Sequence, residues 1–227
     1  ALVKDPSRPT TLKTRIVAHS QQVVRADFES RQPIEQAILS QLLERYSASI
    51  GQYDAVVLSD YDKGLFQEAI VNQLIQIAQA AGRPVIVGPK PANLTRFNNA
   101  DLVTLNAKEA QGASGLPTCG HREVEAAAKV LHGQLAVKNL VITRGENGMS
   151  LFPSGSSQHF HMPALASQVF DVSGAGDTVL ALLSIAFAKG LDGSQAIQLA
   201  SHAAAVVVKK LGTATATAEE ILQSLHH

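Results

Sequence analysis

Tryptophan is absent, and only 4% of the sequence is aromatic. That argues against a base-stacking platform for single-stranded nucleic acid. The single cysteine, Cys119, leaves no internal disulfide and no Cys-rich zinc site, which fits a reducing, cytoplasmic setting. Charge of one sign does not prevail either. Nineteen basic residues face 19 acidic ones, where nucleic acid or an acidic membrane surface would call for a basic surplus. No apolar run nears the length of a membrane span. The opening residues ALVKDPSRPT lack the apolar segment that a signal peptide needs. A Walker-type phosphate loop, a G-x-G-x-x-G fingerprint and a G-x-S-x-G elbow are all missing. There remain 227 residues, 45% of them apolar, enough for one domain, or one with a small appendage, around a sizeable core.

Hydrophobic patterning orders the chain. Residues 11–19 and 21–27 read as two β-strands joined by a short turn, an edge ribbon or lid. Pro33 opens a helix through about Tyr46 with Ile34, Ala37, Ile38 and Leu42 on one face. Short apolar strands at 55–59, 84–87, 102–105 and 140–143 then alternate with helices at 66–81, from Ala107, and at 121–135. Such alternation implies right-handed crossovers and a mostly parallel α/β sheet. A further strand is expected at 148–152 and irregular chain with one or two short strands at 158–169. Helices at 175–189, 193–211 and 218–225 complete the chain, the second apolar nearly all round and hence buried. His226 and His227 read as a tag remnant.

The most informative segment runs Asp171-Val172-Ser173-Gly174-Ala175-Gly176-Asp177 and opens a helix. Gly174, Ala175 and Gly176 let a ligand approach the backbone, so that their amides converge on an anion where the helix dipole adds positive potential. Such a place suits a phosphoryl group whose charge redistributes during transfer. Asp177 stands where a carboxylate could take a proton from an attacking hydroxyl. Small residues and an acidic first turn also suit a plain helix entry. Asn106-Ala107-Lys108-Glu109, at a strand end, reads equally as a capping box. Thr143-Arg144-Gly145-Glu146-Asn147-Gly148 reads as a hairpin turn.

Taken whole, the heptad resembles the second signature of the ribokinase-like (PfkB) carbohydrate kinases. The resemblance implies ATP and magnesium as cofactors. Asn106 and Glu109 then match the family's N-x-x-E motif, placing magnesium, directly or through water, with Ala107 and Lys108 beside the triphosphate. Thr143, Gly145 and Gly148 match the T-x-G-x-x-G turn beside the nucleotide. His202 and Gly212 lie in what resembles the adenine-side helix and following loop, with His202 where the family often has Asn. Asp171, Ser173 and Gly212 match positions around the monovalent-cation (potassium) site of some members.

Ser59-Asp60-Tyr61-Asp62-Lys63-Gly64, Pro89-Lys90, Gln21-Gln22 before Arg25-Ala26-Asp27, and Lys210-Leu211-Gly212-Thr213 resemble one branch, the kinase part of bacterial ADP-heptose synthases. That resemblance implies transfer to the anomeric hydroxyl of D-glycero-β-D-manno-heptose 7-phosphate, with Lys63 and Lys90 as substrate contacts. It also implies a ribokinase-like fold divided into lid strands (1–30) and a nucleotide-binding core (31–227). Two departures stand out. Gly88 replaces the Asp of the branch's D-P-K, and nothing matches the family's N-terminal strands. A sheet without those strands would leave an exposed edge and apolar face, so we expect the chain to pair with another copy, as a homo-oligomer, or with the missing segment. A non-catalytic nucleotide-binding remnant and a kinase for another sugar remain open. His159 and His161 could share a strand face as metal ligands or stand as ordinary exposed β residues. Cys119 reads as an inert loop thiol.

Overall fold

The computed structural model describes residues 2–18, 21–156, 158–166 and 168–226. The end of the strand expected over 11–19, the turn after it, Ser167 and His227 lie outside the described residues, as do the side chains of residues 17, 21 and 22.

Strands β1 (Leu12–Ala18) and β2 (Gln21–Phe28) pair antiparallel as a two-stranded ribbon. Side chains alternate along a strand. Leu12 and Phe28, Ile16 and Val24 are therefore cross-strand partners on one exposed apolar face, while Lys13 and Asp27, Arg15 and Arg25 are partners on the other. Arg8 fastens the ribbon's root. Its guanidinium donates to the carbonyls of Ser30 (2.6 Å), Lys63 (2.7 Å) and Gln32 (3.1 Å).

The main sheet holds six strands in sequence order: β3 (Val56–Ser59), β4 (Val85–Gly88), β5 (Leu102–Asn106), β6 (Asn139–Thr143), β7 (Met149–Pro153) and β8 (Phe160–Met162). The first four are parallel, and β7 and β8 add antiparallel. Each crossover advances one strand in the same direction, so right-handed connections place their helices on one face. That face carries α2 (Glu68–Ala80), a 3-10 segment (Pro91–Phe97), α3 (Ala107–Ser114) and α4 (His121–Gln134), together with α1 (Gln36–Ser49). The opposite face is covered by α5 (Ala175–Ala188) and α6 (Gly193–Val207), and α7 (Ala218–Leu225) packs on α6. Alternation feeds both cores. Val85, Val87, Val103, Leu105, Leu140 and Ile142 join the first, and Ile86, Leu102, Val141 and Leu151 the second. Strands buried on both faces read in sequence as short apolar runs.

Three expectations shift. Helix α1 begins at Gln36 rather than near Pro33: Glu35 is still extended at ψ 146°, and the Ile34 amide before it donates to the Gly64 carbonyl (3.2 Å). Its inner face centres on buried Leu39, and Ala37 is exposed. Helix α6 stops at Val207, four residues before the expected 211, where the Val208 carbonyl accepts from the Phe170 amide (2.8 Å) instead. The 3-10 segment gave no sequence signal. At the sheet's other end, β3 has no second neighbour among the described residues, and Val57 on it is exposed.

Candidate active site

Ser59, Gly88, Asn106 and Thr143 end the four parallel strands, and open α/β sheets gather their ligands at such ends. After β3 the chain turns through Asp60, whose carboxylate is buried. Its Oδ1 accepts from the Asp62 amide (2.8 Å), and its Oδ2 accepts from Asn93 Nδ2 (2.8 Å) and the Lys90 amide (3.2 Å). Asp60 thus knits the ends of β3 and β4 together and is a scaffold rather than a free ligand.

The Asp171–Asp177 segment enters α5 as the sequence requires. Gly174 is the N-cap at φ 84°, and a Cβ there would sit 3.2 Å from the Thr213 methyl. Only glycine adopts that backbone without strain. The Ala175 amide donates to the Val172 carbonyl (3.2 Å), so it serves the turn, and Gly176 and Asp177 are exposed in the first helical turn. Asp171 ties the loop to the segment after α6. It accepts from the amides of Ser173 (2.8 Å) and Gly212 (3.2 Å). Those Ser173 bonds first, and the Gly212 bond and the charge of Arg15 after them, hold its carboxyl below the usual carboxylate range. The three residues assigned to a monovalent cation are therefore brought together, bonded to one another.

Asn106 and Glu109 form the capping box of α3. Asn106 Oδ1 accepts from the Glu109 amide (2.8 Å), and Glu109 Oε2 accepts from the Asn106 amide (3.0 Å). The other Glu109 oxygen accepts from Lys90 Nζ (2.8 Å), so two residues assigned separately form one ion pair across the ends of β4 and β5. Ala107 lends its carbonyl to Thr118 (2.9 Å), and Lys108 is exposed on the first turn of α3. Among the described residues no group of three His, Cys, Asp or Glu could hold a metal ion. One carboxylate with phosphate oxygens and water is what magnesium accepts.

Two cavities flank the start of α5. One, of about 420 Å³, lies under the ribbon and is lined by Lys13, Asp60, Tyr61 and Lys63 among others. Lys63 pairs with Glu29 and Lys13 with Asp27 (3.1 Å), which keeps both acids below their ordinary range. The other, of about 530 Å³, is mostly apolar, with Thr143, Gly145, Gly148, Gly176, Ser201 and Val208 in its walls. Asp177 stands between them. The hydroxyl of Tyr61, a wall of the first cavity, donates to Asp177 Oδ1 (3.3 Å), while Ala175 and Gly176 wall the second.

His202, expected on the adenine side, lies one residue off the cavity face of α6, buried against α7 with Nδ1 2.8 Å from Ser224 Oγ. Positions 201, 204, 205 and 208 line the cavity instead, the i, i+3, i+4, i+7 stripe of one helix face. Tyr61 and Lys13, which line the cleft under the ribbon, were not among the expected site residues. The available signal for Tyr61 was its place between two acids just past a strand's C-terminal end.

His159 and His161 also part company. His159 stacks on Phe152, whereas His161 Nδ1 lies 3.0 Å from Ser150 Oγ and its ring meets His121 edge-on. Burial first, then the positive fields of His121 and Arg144, push the His161 imidazole below its ordinary pKa. The folded chain therefore binds fewer protons than the unfolded one as pH falls from about 6.5. Stability present above that value is lost as pH drops through the unfolded pKa toward the folded one. We expect denaturant midpoints to fall between pH 7.5 and 5.5, and to fall less in His161→Asn. An identical pH slope in both proteins would contradict this.

A sequence model described as pfkB family carbohydrate kinase matches residues 2–220. The chain is 44% identical over 225 residues to the bifunctional protein HldE of Paramagnetospirillum magneticum, and 39% identical over 225 residues to that of Helicobacter hepaticus. In both cases 99% of this chain is covered and 46% of the relative, so the chain spans about half the length of the curated relatives it matches. Among solved structures, ribokinase of Giardia lamblia is similar over 96% of this chain and 73% of its own (18% identity, TM-score 0.77). Arabidopsis thaliana ribokinase complexed with ribose and ATP is similar over 97% and 70% (20% identity, TM-score 0.75). At that identity the likeness speaks for the fold, and the α/β architecture expected from the strand–helix alternation is the ribokinase-like one. No helix among the described residues is long and apolar enough to cross a membrane.

Proposed function

We propose, for a chain that belongs to the pfkB family of carbohydrate kinases, that it binds Mg-ATP in the apolar cavity and transfers the γ-phosphoryl to a sugar hydroxyl held under the ribbon. One observation carries this reading: Asp177 and the open turn of α5 stand between the cleft under the ribbon, where Lys13 and Lys63 sit, and the cavity walled by α5 and α6. Asp177 would take the hydroxyl proton, and the first turn of α5 would face the transferring phosphoryl. Asn106 and Glu109 would hold magnesium, which when bound offsets the charge of the triphosphate. Because the transition state is loose, position and charge matter more than the strength of the base. Asp171, Ser173 and Gly212 are our proposed surroundings for potassium.

The acceptor we propose is D-glycero-β-D-manno-heptose 7-phosphate at its anomeric hydroxyl. The branch-like segments Ser59–Gly64 and Lys210–Thr213 support it, as do Lys13 and Lys63 in the wall of the cleft, which an anionic ligand can draw from their carboxylate partners. Gly88, packed toward Leu180 with room for no larger side chain without adjustment, favours the rival reading of nucleotide binding without transfer. Pairing of copies, for which the exposed apolar ribbon face is suited, belongs to the same proposal.

Calorimetric titration with Mg-ATP tests the nucleotide half. Asn106→Ala removes the oxygen proposed to help hold magnesium, and with it the cap acceptor of the Glu109 amide. We expect affinity to drop about tenfold or more, while the lost cap costs about 1 kcal/mol of stability. No heat of binding to the unaltered chain would refute the reading.

A further inference from the structure

Resting on nucleotide binding as proposed above, we infer that the hydroxyl of Ser201 is the group on α6 that hydrogen-bonds the nucleotide base, and so favours a base with polar edge atoms. Ser201 is 5% exposed and is the only buried polar side chain in the wall of the apolar cavity among the described residues. Its Oγ has no hydrogen-bond partner. A serine inside a helix normally satisfies itself on the carbonyl one turn back. Ser184 of α5 does so, donating to the Leu180 carbonyl at 2.6 Å. Ser201 leaves that bond unmade, although the same geometry is open to any helical serine.

A buried hydroxyl without a partner costs stability, and a ligand that supplies the missing partner recovers that cost on binding. Ala204, Ala205 and Val208 continue the same face and offer only apolar contact. A flat heteroaromatic ring with polar atoms at its edge suits such a wall, since ring faces pack on the small side chains while an edge atom meets Oγ. The hydroxyl both donates and accepts, so it can serve either a ring nitrogen or an exocyclic amine. His202, the neighbouring polar residue, is turned away and satisfied by Ser224.

The test compares the unaltered chain with Ser201→Ala by calorimetry. Two probes are used: Mg-ATP, and the triphosphate of indole riboside, whose base has the purine shape but no polar edge atoms. We expect Ser201→Ala to weaken Mg-ATP about three- to tenfold and to leave the indole analogue unchanged. The melting temperature of the ligand-free variant should be equal to or above that of the unaltered chain, because an orphaned polar atom has been removed. Equal loss for both probes, or a lowered ligand-free melting temperature, would mark a packing role and overturn the inference. So would unchanged Mg-ATP affinity. If the unaltered chain binds neither probe, the nucleotide reading itself falls and this inference with it.

Discussion

Replacing Asp177 with asparagine should cut phosphoryl transfer by about 10²–10⁴, which is about 3–5 kcal/mol on the barrier, while Mg-ATP affinity stays within about threefold. The expectation follows from placement. Asp177 is exposed at the third position of α5, contacts Tyr61 at 3.3 Å and is not itself part of the apolar cavity wall. Asparagine has the same shape but cannot take the proton. The fold should notice little, since a first-turn carboxylate is worth only about 0.3–1 kcal/mol against the helix dipole. Coupled-enzyme turnover and calorimetry on the same preparation separate the two effects. A variant with normal turnover would remove Asp177 from the chemistry. If unaltered chain and variant bind Mg-ATP alike and neither transfers, nucleotide binding without transfer becomes the better account.

A larger effect on the fold is expected at Gly148. Its backbone lies at φ 77°, ψ −136°, and a Cβ there would stand 2.0 Å from the Met162 carbonyl oxygen. Backbone cannot yield as a flexible side chain would. Strain in that region and overpacking together amount to about 3–5 kcal/mol. Against a total stability of about 5–15 kcal/mol, Gly148→Ala should lower the denaturant midpoint steeply or prevent folding. Because Gly148 and Met149 wall the apolar cavity and Met149 pairs with Met162, any folded remainder should bind nucleotide poorly. A variant with a native midpoint would show that β8 can move aside without cost.

Much of this architecture could be read from the residues. The runs at 55–59, 84–87, 102–105 and 140–143 became β3 to β6 within a residue or two; β4 to β6, covered on both faces, carry few polar interruptions, and β3 keeps an apolar run although Val57 on it is exposed. The Gly-Ala-Gly-Asp entry to α5 was legible for a comparable reason: few residues other than glycine hold a left-handed cap. What stayed illegible depended on distant partners. Nothing near residue 33 reveals that Gly64 will take the Ile34 amide, and nothing near residue 91 reveals that Asn93 will reach Asp60. His202, expected beside the nucleotide, and Ser201, which lines the cavity, are neighbours, yet successive helical residues point about 100° apart. A single step therefore exchanged the cavity for the α7 interface. Pattern fixes which face of a helix is apolar, but not which of two neighbours looks onto an empty space.

One arrangement at the site bears on how ligands arrive. Lys90 is held by Glu109, Lys63 by Glu29 and Lys13 by Asp27, so these cations come already matched with carboxylates of the chain. An anionic ligand does not simply fall into a bare positive field. It must trade places, taking over a lysine as a carboxylate lets go. Such an exchange conserves the number of ion pairs. Added salt screens the pairs that break as well as those that form, and the affinity of the site should depend on ionic strength less than its lysines alone would suggest.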